Sequence, residues 1–306
     1  MELSNPLNNE LFIPALKAVG FLFVLGLAPI VIFSKGNLVK AWQGEIGKRY
    51  LSWMFMAPLF LVGAFVGGVV GGAFLLLLIW QILREYRKVV RVERKYYIFL
   101  IIFMFITFAT AAVKPRLFFA LPALVILALT AIPILTQDIK DLYNQMSYAF
   151  QGYIYAIWPL SHLILMRQSD FGLELMLITG VGVALADACA FTVGKLIGRH
   201  KISPKVSPNK AYEGVLGDLL GASIAVLLLG FAIPASFTSI QILTLILIIG
   251  IGSSWGDLAS SLVKRASGVK DWGELIPGHG GVMDRLNSAI VVFPAVYYFG
   301  VLIGLW

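Results

Sequence analysis

With 306 residues the chain has the length of one or two soluble domains, yet 59% of it is hydrophobic and only 13% is charged, against roughly 25% charged in soluble domains. That composition excludes a soluble protein, and the apolar residues come in runs near the ~20 needed for a helix to cross the hydrocarbon core. The net charge of +8 would suggest nucleic acid in a soluble protein. Here it fits Lys and Arg gathered in cytoplasmic loops, and no nucleic-acid partner is expected. The single cysteine, Cys189, excludes an intrachain disulfide and a cysteine-pair zinc site and reads as packing.

In chain order, the first apolar run, Leu11 to Phe33, is too long for a typical signal-peptide core and no clear cleavage site follows it, so it is expected to be a retained first span. Residues 50–84 form one apolar stretch too long for a single ordinary span. Its glycine-rich centre (Gly63, Gly67, Gly68, Gly71, Gly72) predicts a tight hairpin between spans near 50–66 and 68–84, against the alternative of one long tilted helix. Further spans are expected near 97–113, 117–135, 148–166, 172–194, 214–233, 239–263 and 288–305. The fold class is therefore an all-α polytopic integral membrane protein of about ten transmembrane helices. We divide it into N-terminal transmembrane helices, 1–146, and a C-terminal transmembrane catalytic region, 147–306.

Charge placement supports the hairpin. With ten spans, twenty of the 24 Lys and Arg residues fall in loops on one side and three on the other, Lys17 lying inside the first span. The positive-inside rule makes the basic side cytoplasmic. Both termini are then outside, and the loops 195–213 and 264–287 face the cytoplasm of a multi-pass protein of the bacterial inner membrane. The basic, aromatic-edged segment 84–97 reads as a topology determinant beside anionic headgroups.

Acidic residues in or beside spans are expensive and tend to be functional. Asp187 lies late in the seventh span, Asp218 inside the eighth, Asp257 near the end of the ninth and Asp284 in the loop after it. An isolated buried carboxylate is not viable, so each needs a basic partner or a shared cation. No His or Cys accompanies them at ligand spacing, which favours oxygen ligands and Mg2+ over zinc. For Asp187 an ion pair and a metal are equally open; for Asp257 with Asp284 the metal is favoured. The loop 195–213 carries Lys195, Arg199, Lys201, Lys205 and Lys210 among Ser-Pro turns. The loop 264–287 carries Lys264, Arg265, Lys270 and Arg285 beside Gly278, Gly280 and Gly281. Metal-binding acids beside phosphate-binding cations are what phosphoryl or nucleotidyl transfer needs. Solvated positive-inside loops are the plain alternative.

The order S-L-V-K-R, four residues, K-D, then P-G-H-G-G-V-M-D-R-L, from Ser261 to Leu286, resembles the signature of the phosphatidate cytidylyltransferases. Upstream, Ala186-Asp187, Gly194-Lys195, Gly198, Pro204 to Pro208, Lys210 and Glu213-Gly214 are similar to the same family. The resemblance covers about residues 185–290. It implies CTP and phosphatidate as substrates, CDP-diacylglycerol and pyrophosphate as products, a place in phospholipid biosynthesis, contact with membrane lipids and a homodimer. It implies Mg2+, with a monovalent cation such as K+ as a companion, held by Asp257, Asp284, Asp187 and Asn287. Asp257, Asp284, Lys264 and Arg285 would be catalytic. Lys205, Ser207, Lys210, Arg265, Lys270, His279, Gly280 and Gly281 would bind substrate, with His279 as a loop organiser. No general base is needed, because a lipid phosphate is already ionised near neutral pH.

The sequence departs from the family pattern at four places. Asn287 stands where the family has Asp, Ser260 where it commonly has Glu, Ala211 where it usually has Thr, and Asn209 where it usually has Gly. These point to a divergent paralogue. A catalytically degenerate chain that binds lipid or a partner is the second hypothesis, and a CTP-dependent lipid kinase the third.

Overall fold

The structure, a computed structural model, describes residues 6–33, 42, 44–276, 278 and 280–306. It is helical in each of the ten expected segments. The main helices are α1 (Phe12–Phe33), α2 (Glu45–Val66), α3 (Gly68–Val90) and α4 (Arg94–Val113). They are followed by α5 (Leu121–Leu129), α6 (Ala131–Thr136), α7 (Leu142–Gly152) and α8 (Trp158–Gln168). The chain ends with α9 (Gly172–Ile197), α10 (Tyr212–Leu228), α11 (Ser239–Ala266) and α12 (Val282–Leu302). Among the described residues, five of these, α3, α4, α9, α11 and α12, are long and apolar enough to cross a membrane alone. Large apolar side chains stand exposed on their outer faces, among them Val69, Leu77, Ile102, Phe105, Leu243 and Ile251, as lipid-facing surfaces require.

Two expected spans are interrupted. Residues 117–135 are divided into a one-turn helix Pro115–Phe118, then α5 and α6, with Pro115 and Pro122 each at the start of a helix. Proline has no N–H to continue the preceding helix, so the chain restarts at each. Residues 148–166 comprise the end of α7, a π turn at Tyr153–Ile157 and α8. The division placed after residue 146 falls inside α7.

The glycine-rich stretch is broken at Gly67, with φ +56° and ψ −149°, a conformation open essentially to glycine alone. The chain then turns back: a Cβ on Gly71 would lie 2.8 Å from the carbonyl oxygen of Gly63, whereas eight residues of straight helix span about 12 Å. Arg167 secures the turn, its Nε donating to the carbonyl of Ala64 at 3.2 Å. The hairpin reading is therefore correct.

Contacts sort the helix ends into two faces. On one face, Phe12 packs edge-on against Phe65, Arg167 meets Ala64, and Trp306 Nε1 donates to the Asp170 carbonyl at 2.6 Å. On the other face lie the ends of α3, α9 and α11 and the start of α12. Small residues bring the last four helices together. A Cβ on Gly256 would lie 2.5 Å from the backbone oxygen of Asn287, so α11 and α12 touch backbone to backbone, as helices in lipid favour.

Candidate active site

The segment between α9 and α10 was expected to be a turn-rich loop of an all-α protein. It is instead a small antiparallel hairpin, β1 (Lys201–Ser203) with β2 (Ser207–Ala211). The Ser-Pro pairs that suggested turns flank its tip, and Ser203 and Ser207 pair across it. Glu213 fastens its base by accepting from the backbone N–H groups of Arg199 and His200, at 3.2 Å each, and from His200 Nδ1 at 2.6 Å. Hydrogen bonds from its own backbone N–H, and then from His200, pull its carboxyl down to about 2. Arg265 ties down the tip, donating from Nε to the Val206 carbonyl at 3.3 Å and from Nη1 to Val269 at 2.9 Å.

The hairpin delivers Lys210 into the bundle. Its ammonium pairs with Asp257 on α11. Burial works against its charge, but Asp257, Asp218 and Asp187 together outweigh that and hold its pKa above the ordinary lysine value. Three acids from α9, α10 and α11 thus surround one lysine. Arg285 adds a second cation within electrostatic reach of Asp187, and its Nε is buried without a partner among the described residues. Asp218 accepts from Ser254 through Oδ2, while its Oδ1 has no partner among the described residues. Asn287 on α12 donates from Nδ2 to Asp257 Oδ1 at 2.6 Å, and its own oxygen accepts from the Ser288 N–H at 2.7 Å. Ser288 Oγ lies 3.4 Å from Asp187 Oδ1.

A second lysine–aspartate pair adjoins the first. Asp284, only 3% exposed, accepts from Lys264 Nζ at 2.7 Å, from Trp272 N–H at 2.8 Å and from Gly281 N–H at 2.9 Å. Both of its oxygens are therefore held by protein donors. The N–H of Gly281, which the sequence suggested for an incoming anion, is turned to Asp284 instead. Gly280, at φ +81°, leaves room for that carboxylate, since a Cβ there would lie 2.7 Å from Asp284 Oδ2. The other predicted residues are more peripheral. Lys205 at the hairpin tip and Lys270 are exposed, and Ser207 is half-buried on β2. His279 lies outside the described residues.

Sequence reasoning missed Glu85. From α3 it accepts from the N–H groups of Val282 at 3.0 Å and Met283 at 2.9 Å, so it caps α12 and holds the motif loop to the N-terminal half. Its only sequence signal was one acid in the otherwise basic run Arg84–Lys88. Trp272 was missed as well. It stacks on Tyr86, ring centroids 5.8 Å apart, and its Nε1 donates to Ser260 Oγ at 2.8 Å. Ser260, read only as a lost acid, thus acts as the acceptor for that indole.

Whether these residues fit a divalent cation can be judged from their donors. The available ligands are all oxygens, as Mg2+ prefers, and one oxygen of Asp218 has no partner among the described residues. Among the described residues, no three Asp, Glu, His or Cys side chains yet converge on one metal-binding point. The ammonium of Lys210 is the positive charge amid the three acids. The donor chemistry fits, with Lys210 in the place of a cation.

Comparison with known proteins agrees with this chemistry. A family model described as the cytidylyltransferase family matches residues 47–303. An uncharacterised protein of Escherichia coli (strain K12), YnbB, is 36% identical over 171 residues, 54% of this chain and 57% of that protein. A phosphatidate cytidylyltransferase of Haemophilus influenzae is 40% identical over 137 residues, covering 43% of this chain and 48% of its own. One from Staphylococcus saprophyticus is 34% identical over 155 residues, 51% and 60% respectively. The chain thus matches about half the length of these relatives.

Proposed function

We propose, from the premise that this chain belongs to the cytidylyltransferase family, that it transfers a cytidylyl group from CTP to phosphatidate or a similar lipid phosphate. CDP-diacylglycerol or a close CDP-lipid and pyrophosphate would be the products. The observation that carries the reading is the pair of adjoining Lys–Asp contacts, Lys210–Asp257 and Lys264–Asp284, at one end of an apolar bundle. A soluble nucleotide and a lipid headgroup can meet only at such an end.

On this reading a lipid phosphate oxygen attacks the α-phosphorus of CTP in line, and the bond to the pyrophosphate oxygen breaks. No protein base is required. Lys210 and Arg285 turn from the carboxylates to the phosphates, lowering the repulsion between two anions and stabilising the leaving group. Arg265, Lys205 and Lys270 draw the nucleotide to the hairpin side. Lys264, held by Asp284, lies at the floor of the site. Mg2+ would be held by Asp257 and Asp187 with the oxygen of Asn287, and a monovalent cation would accompany it. Asp284 would join them only by releasing a protein donor. Bound there, Mg2+ would supply charge neutralisation between the reacting phosphates.

We place the site on the cytoplasmic side of the bacterial inner membrane, with ten spans, both termini outside and a homodimer as the assembly. The charge bias of the loops supports this placement. The test is to supply the purified protein with labelled CTP, Mg2+ and phosphatidate and to examine the lipid fraction. Label from the cytidine in a CDP-lipid supports transfer. Label from the γ-phosphate on a lipid alcohol would mean a kinase. No turnover across several lipid phosphates and metals would leave a degenerate binding protein, a reading favoured by the Asn287 amide pointing its N–H at Asp257.

A further inference from the structure

The π turn at Tyr153–Ile157 has a local cause. In a regular helix the N–H of residue 159 would bond to the carbonyl of Tyr155, but residue 159 is proline, which lacks the donor and crowds that carbonyl. The helix widens by one residue, and Trp158 N–H bonds back to Tyr153. Two tyrosines within this turn point to different places. Tyr153 points to α4, where its hydroxyl accepts from Thr107 Oγ1 at 3.2 Å. Tyr155 points to the site. Its hydroxyl faces Ser260 and lies within electrostatic reach of both Asp257 and Asp284, one from each Lys–Asp pair.

That hydroxyl is buried, and although Ser260 is its polar neighbour, it makes no hydrogen bond of normal geometry among the described residues. Its neighbours are already in use, Lys264 by Asp284 and the Ser260 oxygen as acceptor for Trp272. A buried donor left unpaired is costly, and π turns recur where a helix must aim a side chain into a functional site. We propose that the Tyr155 hydroxyl is a substrate-contacting donor, giving its hydrogen bond to a phosphoryl oxygen bound between the two Lys–Asp pairs. This rests on the transfer reading for its substrate. The oxygen belongs either to the nucleotide or to the lipid phosphate, a phosphoryl acceptor in both cases. Lys210 and Lys264, paired with the two aspartates in reach of this hydroxyl, supply the positive charge that suits an anionic oxygen there.

The test compares wild type with Tyr155→Phe, which removes one oxygen and keeps the ring. Cytidylyl transfer is measured with CTP and lipid phosphate varied separately. The expected loss is about tenfold or more, as for a hydrogen bond to a charged group, with little change in melting temperature. A raised KM for CTP alone assigns the contact to the nucleotide, and a raised KM for the lipid alone to its phosphate. A lower kcat with both KM values kept assigns it to the phosphoryl group in transfer. Tyr155→His, which returns a ring donor, should recover part of the rate. Tyr153→Phe, in the same π turn but facing Thr107, should keep the wild-type rate. Wild-type kinetics in Tyr155→Phe would overturn the proposal while leaving the transfer reading intact. If wild type itself shows no turnover, the transfer reading fails. Calorimetric binding of CTP, and of nanodiscs carrying a phosphomonoester lipid, then decides the role of Tyr155. Weaker binding of either by Tyr155→Phe supports it, and equal binding of both overturns it.

Discussion

Asn287 donates its Nδ2 hydrogen to Asp257 Oδ1 at 2.6 Å, while its own carbonyl oxygen accepts from the Ser288 N–H. A carboxylate at position 287 would instead set two anions face to face, a disposition that demands a cation between them. Here an amide hydrogen takes part of that role. Asn287→Asp is expected to lower the Mg2+ concentration for half-maximal activity by about tenfold, the scale of one added charge-assisted ligand, and to preserve or raise turnover. Metal titration of activity in both proteins is the measurement, and an unchanged Mg2+ requirement would remove residue 287 from the metal-binding set.

Asp284 is the acceptor for three protein donors, one of them the buried ammonium of Lys264. Asp284→Asn leaves that ammonium without its counter-charge, at a cost of about 3–5 kcal/mol for a broken buried pair. We expect a lowered melting temperature together with loss of activity. The double variant Asp284→Asn, Lys264→Met should regain stability but not activity, which separates the structural from the chemical role. Thermal melting and transfer assays on the three proteins decide it.

Glu85 holds two N–H groups at the start of α12 from a distance of almost two hundred residues. Glu85→Gln keeps one oxygen as acceptor and loses the charge at a helix N-terminus, a change of about 0.3–1 kcal/mol on the helix-dipole scale and up to ~2 in buried geometry. Hydrogen exchange at Val282 and Met283 should accelerate, and Glu85→Ala should accelerate it further. Exchange unaltered by either change would mean the cap is not formed.

Gly67 turns α2 back along α3 at a positive φ, with Arg167 packed where a Cβ would lie 3.1 Å from its Nη2. Gly67→Ala places a side chain in a glycine-only conformation, costing about 1–3 kcal/mol, and the melting temperature should fall. Gly20, inside α1 with nothing within 4 Å of its Cβ position, provides the control, since Gly20→Ala should not lower the melting temperature.

The apolar helices, the hairpin at the glycine cluster and the family were legible in the sequence, because hydropathy, glycine spacing and the run from Ser261 to Leu286 are all local properties. The sequence also singled out Asp257 and Asp284 as carboxylates needing a basic partner or a cation, and Lys210 and Lys264 as cations for phosphates. It did not determine the pairing. Asp257 and Asp284 were read together as carboxylates sharing a cation; in three dimensions each meets its own lysine, Lys210 from a β-hairpin and Lys264 from the end of α11. The β-hairpin was illegible because its proline- and serine-rich strands carry little apolar alternation. Glu85 and Tyr155 were illegible for a different reason. Their roles arise from packing of the N-terminal helices against α11 and α12, and from a helix widened by Pro159. Side-chain direction at such a place is decided by tertiary structure alone, since a one-residue shift in a helix rotates every later side chain by about 100°.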